Sequence, residues 1–135
     1  MKELSVEASK SSLAAVLGFI EEQLEDAGCP TKAQLQTGVA AEEIFVNIAS
    51  YAYPDGGGSA AVRFEITGDP RTAVITFIDS GIPYDPLARP DPDVTLSAEE
   101  RGIGGLGIFM TKKLMDEVLY ERRDGHNVLT LKKRL

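Results

Sequence analysis

The chain has 135 residues, 14 Lys and Arg against 21 Asp and Glu, and a formal charge of −7. A length of this order argues for one domain that buries about 68% of its unfolded surface, and 43% hydrophobic with 26% charged residues is a globular rather than a disordered composition. The acidic balance excludes a binder of nucleic-acid backbones, which needs a basic face, no apolar run approaches the roughly 20 residues of a membrane span, and Cys29 as sole cysteine excludes an internal disulfide or a cysteine metal cluster.

The opening stretch MKELSVEASKSS has no apolar h-region, so no secretory signal is expected, and with one cysteine a reducing cytoplasm is the inferred location. Leu4 and Val6 alternate within residues 2 to 7, which predicts a short strand. A helix follows from about Lys10 to Ala27. Leu13, Val16, Leu17, Ile20 and Leu24 recur at spacings of three and four and form one apolar stripe, while Glu21, Glu22, Glu25 and Asp26 form a solvated face. Gly28 stops it. A second helix starts at Thr31, which with Gln34 has the form of a capping box just after Pro30, and runs to about Tyr51. From Val39 onward it is apolar on almost every side, the mark of a helix buried on several faces. Gly56-Gly57-Gly58 read as a plain loop. Ala61–Ile66 and Thr72–Ile78 are strands joined by the turn signal Gly68-Asp69-Pro70. Residues 79 to 103 hold four of the seven prolines and form a loop too long to be a passive connection. A third helix covers Leu106 to Met115, and 118–122 with 127–132 form a hairpin around Asp124-Gly125. The order β α α β β loop α β β is an α+β pattern, most simply one sheet with helices on one face.

Three groups of residues can carry chemistry. Glu43 and Asn47 are separated by one helical turn and share a face of an otherwise apolar helix. Burying them without partners would cost several kcal/mol. Either they find ordinary partners, Asn47 on a backbone group and Glu43 at the helix edge, or the amide oxygen takes a hard cation such as Mg²⁺ while the carboxylate orients or deprotonates a hydroxyl. Asp79 follows directly on a β-branched strand and precedes Gly81. It either closes an Asx-type turn or accepts hydrogen bonds from an exocyclic amine, with the glycine letting a planar ligand approach. Arg101-Gly102-Ile103-Gly104-Gly105-Leu106-Gly107 opens onto a helix. It is either a flexible hinge or a phosphate cradle of backbone N–H groups, a helix N-terminus and a bidentate arginine.

Gly102, Gly104 and Gly107 also fit the G-x-G-x-x-G pattern, which signals a dinucleotide fold only after a strand inside a βαβ unit. The preceding Ser97-Ala98-Glu99-Glu100 is polar, and a helix plus an antiparallel hairpin follows, so that reading is rejected. No Walker A lysine follows the glycines. His126, the single histidine, sits at the hairpin turn and is expected to be merely exposed, and a structural zinc site has no support.

Taken in order, ExxxN on a helix, DxGxxxDP after a strand and a glycine-rich box opening a helix resemble the GHKL ATPase superfamily of gyrase, histidine kinases and MutL, with its Bergerat nucleotide-binding fold. The short chain is most similar to the anti-sigma factor serine kinases of the RsbW and SpoIIAB type. The resemblance covers nearly the whole chain, read as a single histidine kinase-like ATPase domain over residues 1–135. It implies a two-layer α+β sandwich, with one mixed, mostly antiparallel sheet and three helices on one face. It implies that Glu43 to Asn47 is the N box, with Asn47 on Mg²⁺ and Glu43 as general base. Asp79 with Gly81 would be the G1 box, Asp79 reading the adenine amino group. Residues 84 to 103 would be the ATP lid, whose Gly102 and Arg101 close over the phosphates, and Gly104-Gly105-Leu106-Gly107 the G2 box. The sequence departs from the family in Tyr51-Ala52-Tyr53, where members often carry His, and in a slightly longer lid.

The function implied is an ATP/Mg²⁺-dependent protein serine/threonine kinase that phosphorylates a STAS-type anti-anti-sigma factor and sequesters a sigma factor, as a homodimer built on the N-terminal strand and helix, without direct contact to nucleic acid or membrane. Two other functions compete. One is a non-catalytic, ATP-gated binding module, against which the retained Glu43 speaks. The other is a detached histidine-kinase-like ATPase module, separable by the acid stability of the phosphoamino acid.

Overall fold

The computed structural model describes residues 1–88 and 106–135. Its elements follow the predicted order: β1 (Lys2–Glu7), α1 (Leu13–Asp26) after a 3₁₀ turn Lys10–Ser12, α2 (Thr31–Asn47) continued by a π-helical turn Ile48–Ala52, β2 (Ser59–Thr67), β3 (Thr72–Asp79), a 3₁₀ turn Pro86–Ala88, α3 (Leu106–Leu114), β4 (Glu117–Arg123) and β5 (His126–Arg134). Among the described residues the strands form one sheet in the order β1-β2-β3-β5-β4. All four pairings are antiparallel, the limiting case of the mostly antiparallel sheet anticipated. No described helix is long and apolar enough to cross a membrane.

Strand periodicity decides what each face of the sheet does. Alternate residues of the three central strands are buried: Ala60, Val62 and Phe64 on β2, Ala73, Ile75, Phe77 and Asp79 on β3, Asn127, Leu129 and Leu131 on β5. The register aligns them in rows: Phe64, Ile75, Leu131 and Val118 in one, then Val62, Phe77, Leu129 and Tyr120, then Ala60, Asp79, Asn127 and Arg122. The first two rows are apolar but for the Tyr120 hydroxyl and take the helices, α1 through Val16, Ile20 and Leu24 and α2 through Ala40, Ala41, Ile44 and Phe45. Each such fully buried Ile, Leu or Phe contributes about 1.5–3 kcal/mol. The third row turns polar, and that change marks where the core ends and the site begins.

The termini of these elements have identifiable causes. Gly28, at φ +75°, closes α1 in a Schellman arrangement: its N–H reaches the Glu25 carbonyl at 2.9 Å, and the Cys29 N–H reaches that of Leu24 at 3.0 Å. Asp124 and Gly125 both have positive φ, 52° and 81°, as the type I′ hairpin turn between β4 and β5 requires.

Three expectations are corrected. Thr31 and Gln34 form no capping box: α2 makes no side-chain cap bond, and Gln34 Nε2 instead donates to the Cys29 carbonyl at 2.8 Å. The N-cap is Pro30 and Thr31 is already the first helical residue, so the Thr31 hydroxyl is not in the capping position. Nor does the burial of α2 on several faces reach every apolar side chain, since Leu35 and Val39 are 67% and 53% exposed. The sheet takes one face, α1 and α3 flank it, and the outward stripe is left to solvent. Finally, Gly58 is more than loop. A side chain there would overlap the Tyr53 ring, and the Tyr53 hydroxyl is a structural tie, donating to the Ser59 carbonyl at 2.6 Å and accepting from the Ser80 N–H at 2.8 Å.

Candidate functional site

Asp79 is the last residue of β3 and faces Asn127 across the β3–β5 ladder. Both are buried, at 5% and 6% exposure, so their polar atoms need partners. Asp79 Oδ1 accepts two hydrogen bonds, from the Gly81 N–H at 2.9 Å and from Asn127 Nδ2 at 2.9 Å. The first is the Asx-type turn that the sequence allows. Asp79 Oδ2 has no hydrogen-bond donor in the described residues, which leaves one carboxylate oxygen able only to accept.

The segment after Asp79 is tied from several sides. Gly81 lies so close to the backbone of Ala52 that a Cβ would overlap the Ala52 carbonyl, and the Ile82 N–H donates to that same carbonyl at 2.9 Å. The π-helical turn after Asn47 is what brings Ala52 there, in keeping with the frequent use of such turns at functional sites. Arg122 Nη1 holds the Gly81 carbonyl at 2.8 Å. His126 is exposed as anticipated, but its Nδ1 also lies 2.8 Å from Ser80 Oγ.

Asn47, Asp79, Tyr84, Tyr120 and Asn127 share one pocket with apolar Ile44, Ile48, Phe77 and Leu129, about 400 Å³ of atom-free space partly open to solvent. Its lining, apolar walls with a few convergent polar groups, is that of a small-molecule site. An apolar slot beside an accept-only oxygen suits a flat heteroaromatic ring carrying an amine. Glu43 and Asn47 stand one turn apart on α2, half-buried, and neither side chain makes a hydrogen bond within the described residues. Asn47 therefore does not spend its amide on a backbone group. Gly107, in the first turn of α3, packs directly on Glu43: a methyl there would overlap the carboxyl group.

No group of three or more His, Cys, Asp or Glu side chains among the described residues could hold a metal by itself. Mg²⁺ carried in with a nucleotide would keep its waters and take one or two protein oxygens, and the unengaged amide of Asn47 could supply one. Of the other site residues named from sequence, Leu106 opens α3, whereas Arg101, Gly102, Gly104, Gly105 and the lid from residue 89 to 103 lie outside the described residues. Sequence reasoning missed Asn127, Tyr120, Tyr84, Tyr53 and Arg122. Tyr84 lies in the Asp79 segment itself, as an unspecified position of its motif; the others meet that segment only through sheet register or the π-helical turn, which no local motif announces.

Comparison with known proteins bears on this arrangement. Serine/threonine-protein kinase BtrW of Bordetella bronchiseptica is 32% identical over 93 residues, which cover 69% of this chain and 65% of that protein. The match thus spans slightly less than two thirds of its relative. Among solved structures, the RsbU and RsbW domains of a Mycobacterium tuberculosis protein superpose with a TM-score of 0.66 over 100% of this chain and 33% of that one, at 18% identity. The histidine kinase domain of a blue-light activated histidine kinase from Erythrobacter litoralis does so with a TM-score of 0.55, over 91% and 61%, at 17% identity. At such identities the likeness establishes the fold, the α+β sandwich of the Bergerat type. The family model described as histidine kinase-like ATPase domain matches residues 6–133, so a polar row at the edge of this sheet, an unengaged Glu-Asn pair on α2 and the matched sequence agree that the chain belongs to the histidine kinase-like ATPase domain family.

Proposed function

We propose that this chain binds ATP with Mg²⁺ and transfers the γ-phosphoryl group to a Ser or Thr hydroxyl of a partner protein. The observation that carries the reading is the Glu43 carboxylate, which is half-buried, without a hydrogen-bond partner in the described residues, packed on Gly107 and one helical turn from the pocket-lining Asn47. A domain that only held nucleotide would have no need of an uncompensated carboxylate one helical turn from its pocket.

In this reading Asp79 Oδ2 accepts from the adenine amino group, and Phe77 and Leu129 pack on the base. Asn47 offers its amide oxygen to Mg²⁺, and the glycine box from Gly102 to Gly107, with Arg101, contacts the phosphates. Mg²⁺, when bound, neutralises charge on the phosphate oxygens. The attacking hydroxyl forms the new O–P bond, its proton passes to Glu43, and the bond from the γ-phosphorus to the bridging oxygen breaks to release ADP. Positioning and electrostatics carry most of such a reaction. The domain takes in residues 1–135, with the lid at about 84–103. The phosphoacceptor is a STAS-type anti-anti-sigma factor and the competing ligand a sigma factor. A homodimer forms through β1 and α1, β1 being an edge strand. The motif resemblance supports this part, while the kinship with BtrW, named a serine/threonine-protein kinase, supports only transfer to a Ser or Thr hydroxyl.

The test has two stages. Millimolar ATP with Mg²⁺ raises the melting temperature by linkage, and no shift would end the nucleotide reading. Labelled ATP then transfers phosphate to a STAS partner with acid-stable product, and Glu43→Ala abolishes transfer while keeping ATP binding. ATP binding by the wild type with no transfer to any STAS partner would leave an ATP-gated binding module.

A further inference from the structure

Asn127 belongs to none of the motifs that mark the nucleotide site, yet it is the most heavily bonded side chain near Asp79. Its Nδ2 donates to Asp79 Oδ1 at 2.9 Å and to the Ile82 carbonyl at 2.8 Å. Its Oδ1 accepts from the Tyr120 hydroxyl at 2.5 Å and, more loosely, from the Tyr84 N–H at 3.3 Å. The orientation of an amide is usually an assignment, but here the partners dictate it. A carbonyl oxygen can only accept and a backbone N–H can only donate, and an ionised carboxylate adds a second acceptor. Flipping the amide would turn its oxygen toward the Asp79 carboxylate and the Ile82 carbonyl, and its NH₂ toward the Tyr84 N–H. Both Nδ2 hydrogens and both Oδ1 lone pairs are thereby used, so Asn127 has nothing left to offer a ligand.

We propose that Asn127 is the positioning residue that makes Asp79 selective for a 6-amino purine. It occupies Oδ1 from across the sheet while the Gly81 N–H occupies it from the turn, so the carboxylate is held from two directions and Oδ2 alone remains to read the base. Through Ile82 and Tyr84 the same amide holds the backbone on both sides of Pro83, the stretch in which the chain leaves β3. Discrimination follows from rigidity. A fixed accept-only oxygen meets an amine with a charge-assisted hydrogen bond and meets the carbonyl of a 6-oxo purine with repulsion, whereas a carboxylate free to swing escapes the repulsion and loses the bond. The inference rests on the assignment of Asp79 to the base.

The experiment measures dissociation constants for ATP and ITP, both with Mg²⁺, on the wild type, Asn127→Leu and Asn127→Ser. Leucine keeps the volume without polar atoms. Serine is the milder change, serves if the leucine variant does not fold, and is too short to reach all four partners. The wild type should prefer ATP, and both variants should lose about 10- to 100-fold of that preference, as expected from losing one hydrogen bond to a charged group. In turnover assays KM for ATP should rise while kcat stays within about threefold, since Asn127 touches no reacting atom. A purely structural role would lower the melting temperature and leave the ATP/ITP ratio alone. A wild type that discriminates, together with a folded variant that discriminates equally well, overturns the inference by itself. A wild type that does not distinguish ATP from ITP overturns the assignment of Asp79, and the inference with it.

Discussion

Gly107→Ala separates stability from catalysis. In the wild type Gly107 lies in the first turn of α3, and a Cβ there would meet the Glu43 carboxyl group well inside 3.0 Å. Two effects of opposite sign then act on stability. Replacing glycine by alanine in a helix is favourable by roughly 0.5–1 kcal/mol. Displacing the end of one flexible side chain into a less favoured rotamer costs about 0.5–1.5 kcal/mol. The sum lies within about 1 kcal/mol of zero, so the melting temperature should move by no more than about 4 °C. Phosphotransfer has no such cancellation. With Glu43 as the proposed base, displacing it by an ångström or more would forfeit on the order of 100-fold in rate. The assay pairs thermal melting with labelled-phosphate transfer and ATP affinity, for Gly107→Ala, Glu43→Ala and the double variant. With the Glu43 carboxylate removed, the alanine meets no obstacle. In that background Gly107→Ala should stabilise by about 0.5–1 kcal/mol and cause no further loss of transfer, a strongly non-additive cycle. Wild-type transfer by the single variant would refute the reasoning. So would a melting temperature lowered by more than about 10 °C, because α3 rather than the Glu43 side chain would then be what gives way.

Three further outcomes are expected. Gly81→Ala pits a methyl against backbone, the Ala52 carbonyl, and threatens the bond from Ile82 to that carbonyl; it should cost about 2–4 kcal/mol and weaken ATP binding, and a urea midpoint indistinguishable from wild type would contradict the close approach. Asp79→Asn should weaken ATP binding about 10- to 100-fold, and more than Glu43→Ala does, as calorimetric titration would show; the reverse order would undo the division of roles. Burial pushes the Cys29 thiol above its ordinary value of 9.0, with the charge of Lys133 opposing more weakly. The folded state then holds the proton more tightly than the unfolded state, so this contribution is intact below about pH 8.5 and is lost as pH rises through the folded pKa. Wild-type stability should fall more steeply above about pH 8.5 than that of Cys29→Ala, and equal slopes in urea melts would remove the effect.

What could be read from sequence was whatever is encoded locally. Gly28 after an apolar stripe marks a Schellman stop, and Asp124-Gly125 between alternating apolar runs marks a type I′ hairpin, because single residues with unusual dihedral freedom decide both. Glu43, Asn47 and Gly107 were legible as motif members. Three features were hidden for physical reasons. The capping box at Thr31 and Gln34 matched in spacing but failed because the helix begins one residue early, with Pro30 as N-cap. Leu35 and Val39 are apolar, and nothing in their spacing says which side of α2 the sheet will take. Asn127 sits 48 residues beyond Asp79, and only the β3–β5 register, a tertiary fact, makes them neighbours.

The two readings open for Asp79, a turn-closing aspartate and a reader of an exocyclic amine, are not rivals in this fold. A buried carboxylate with no hydrogen bonds would cost several kcal/mol, so a ligand-reading Asp in a buried row must be supported by the protein before any ligand arrives. The two bonds on Oδ1 supply that support, and they confine it to one oxygen. The turn is thus the condition for the reader. The opposite end of the pocket is built on a different plan. Glu43 and Asn47 project from one helix without hydrogen-bond partners in the described residues, held by packing alone. In the proposed function a fixed oxygen at the base end would select what binds, while unengaged groups on α2 would meet a cation and an attacking hydroxyl. Substitutions at Asp79 or Asn127 should therefore appear first in affinity and selectivity, and those at Glu43 or Gly107 in turnover. This separation of KM from kcat effects follows from which side chains the fold has already bonded.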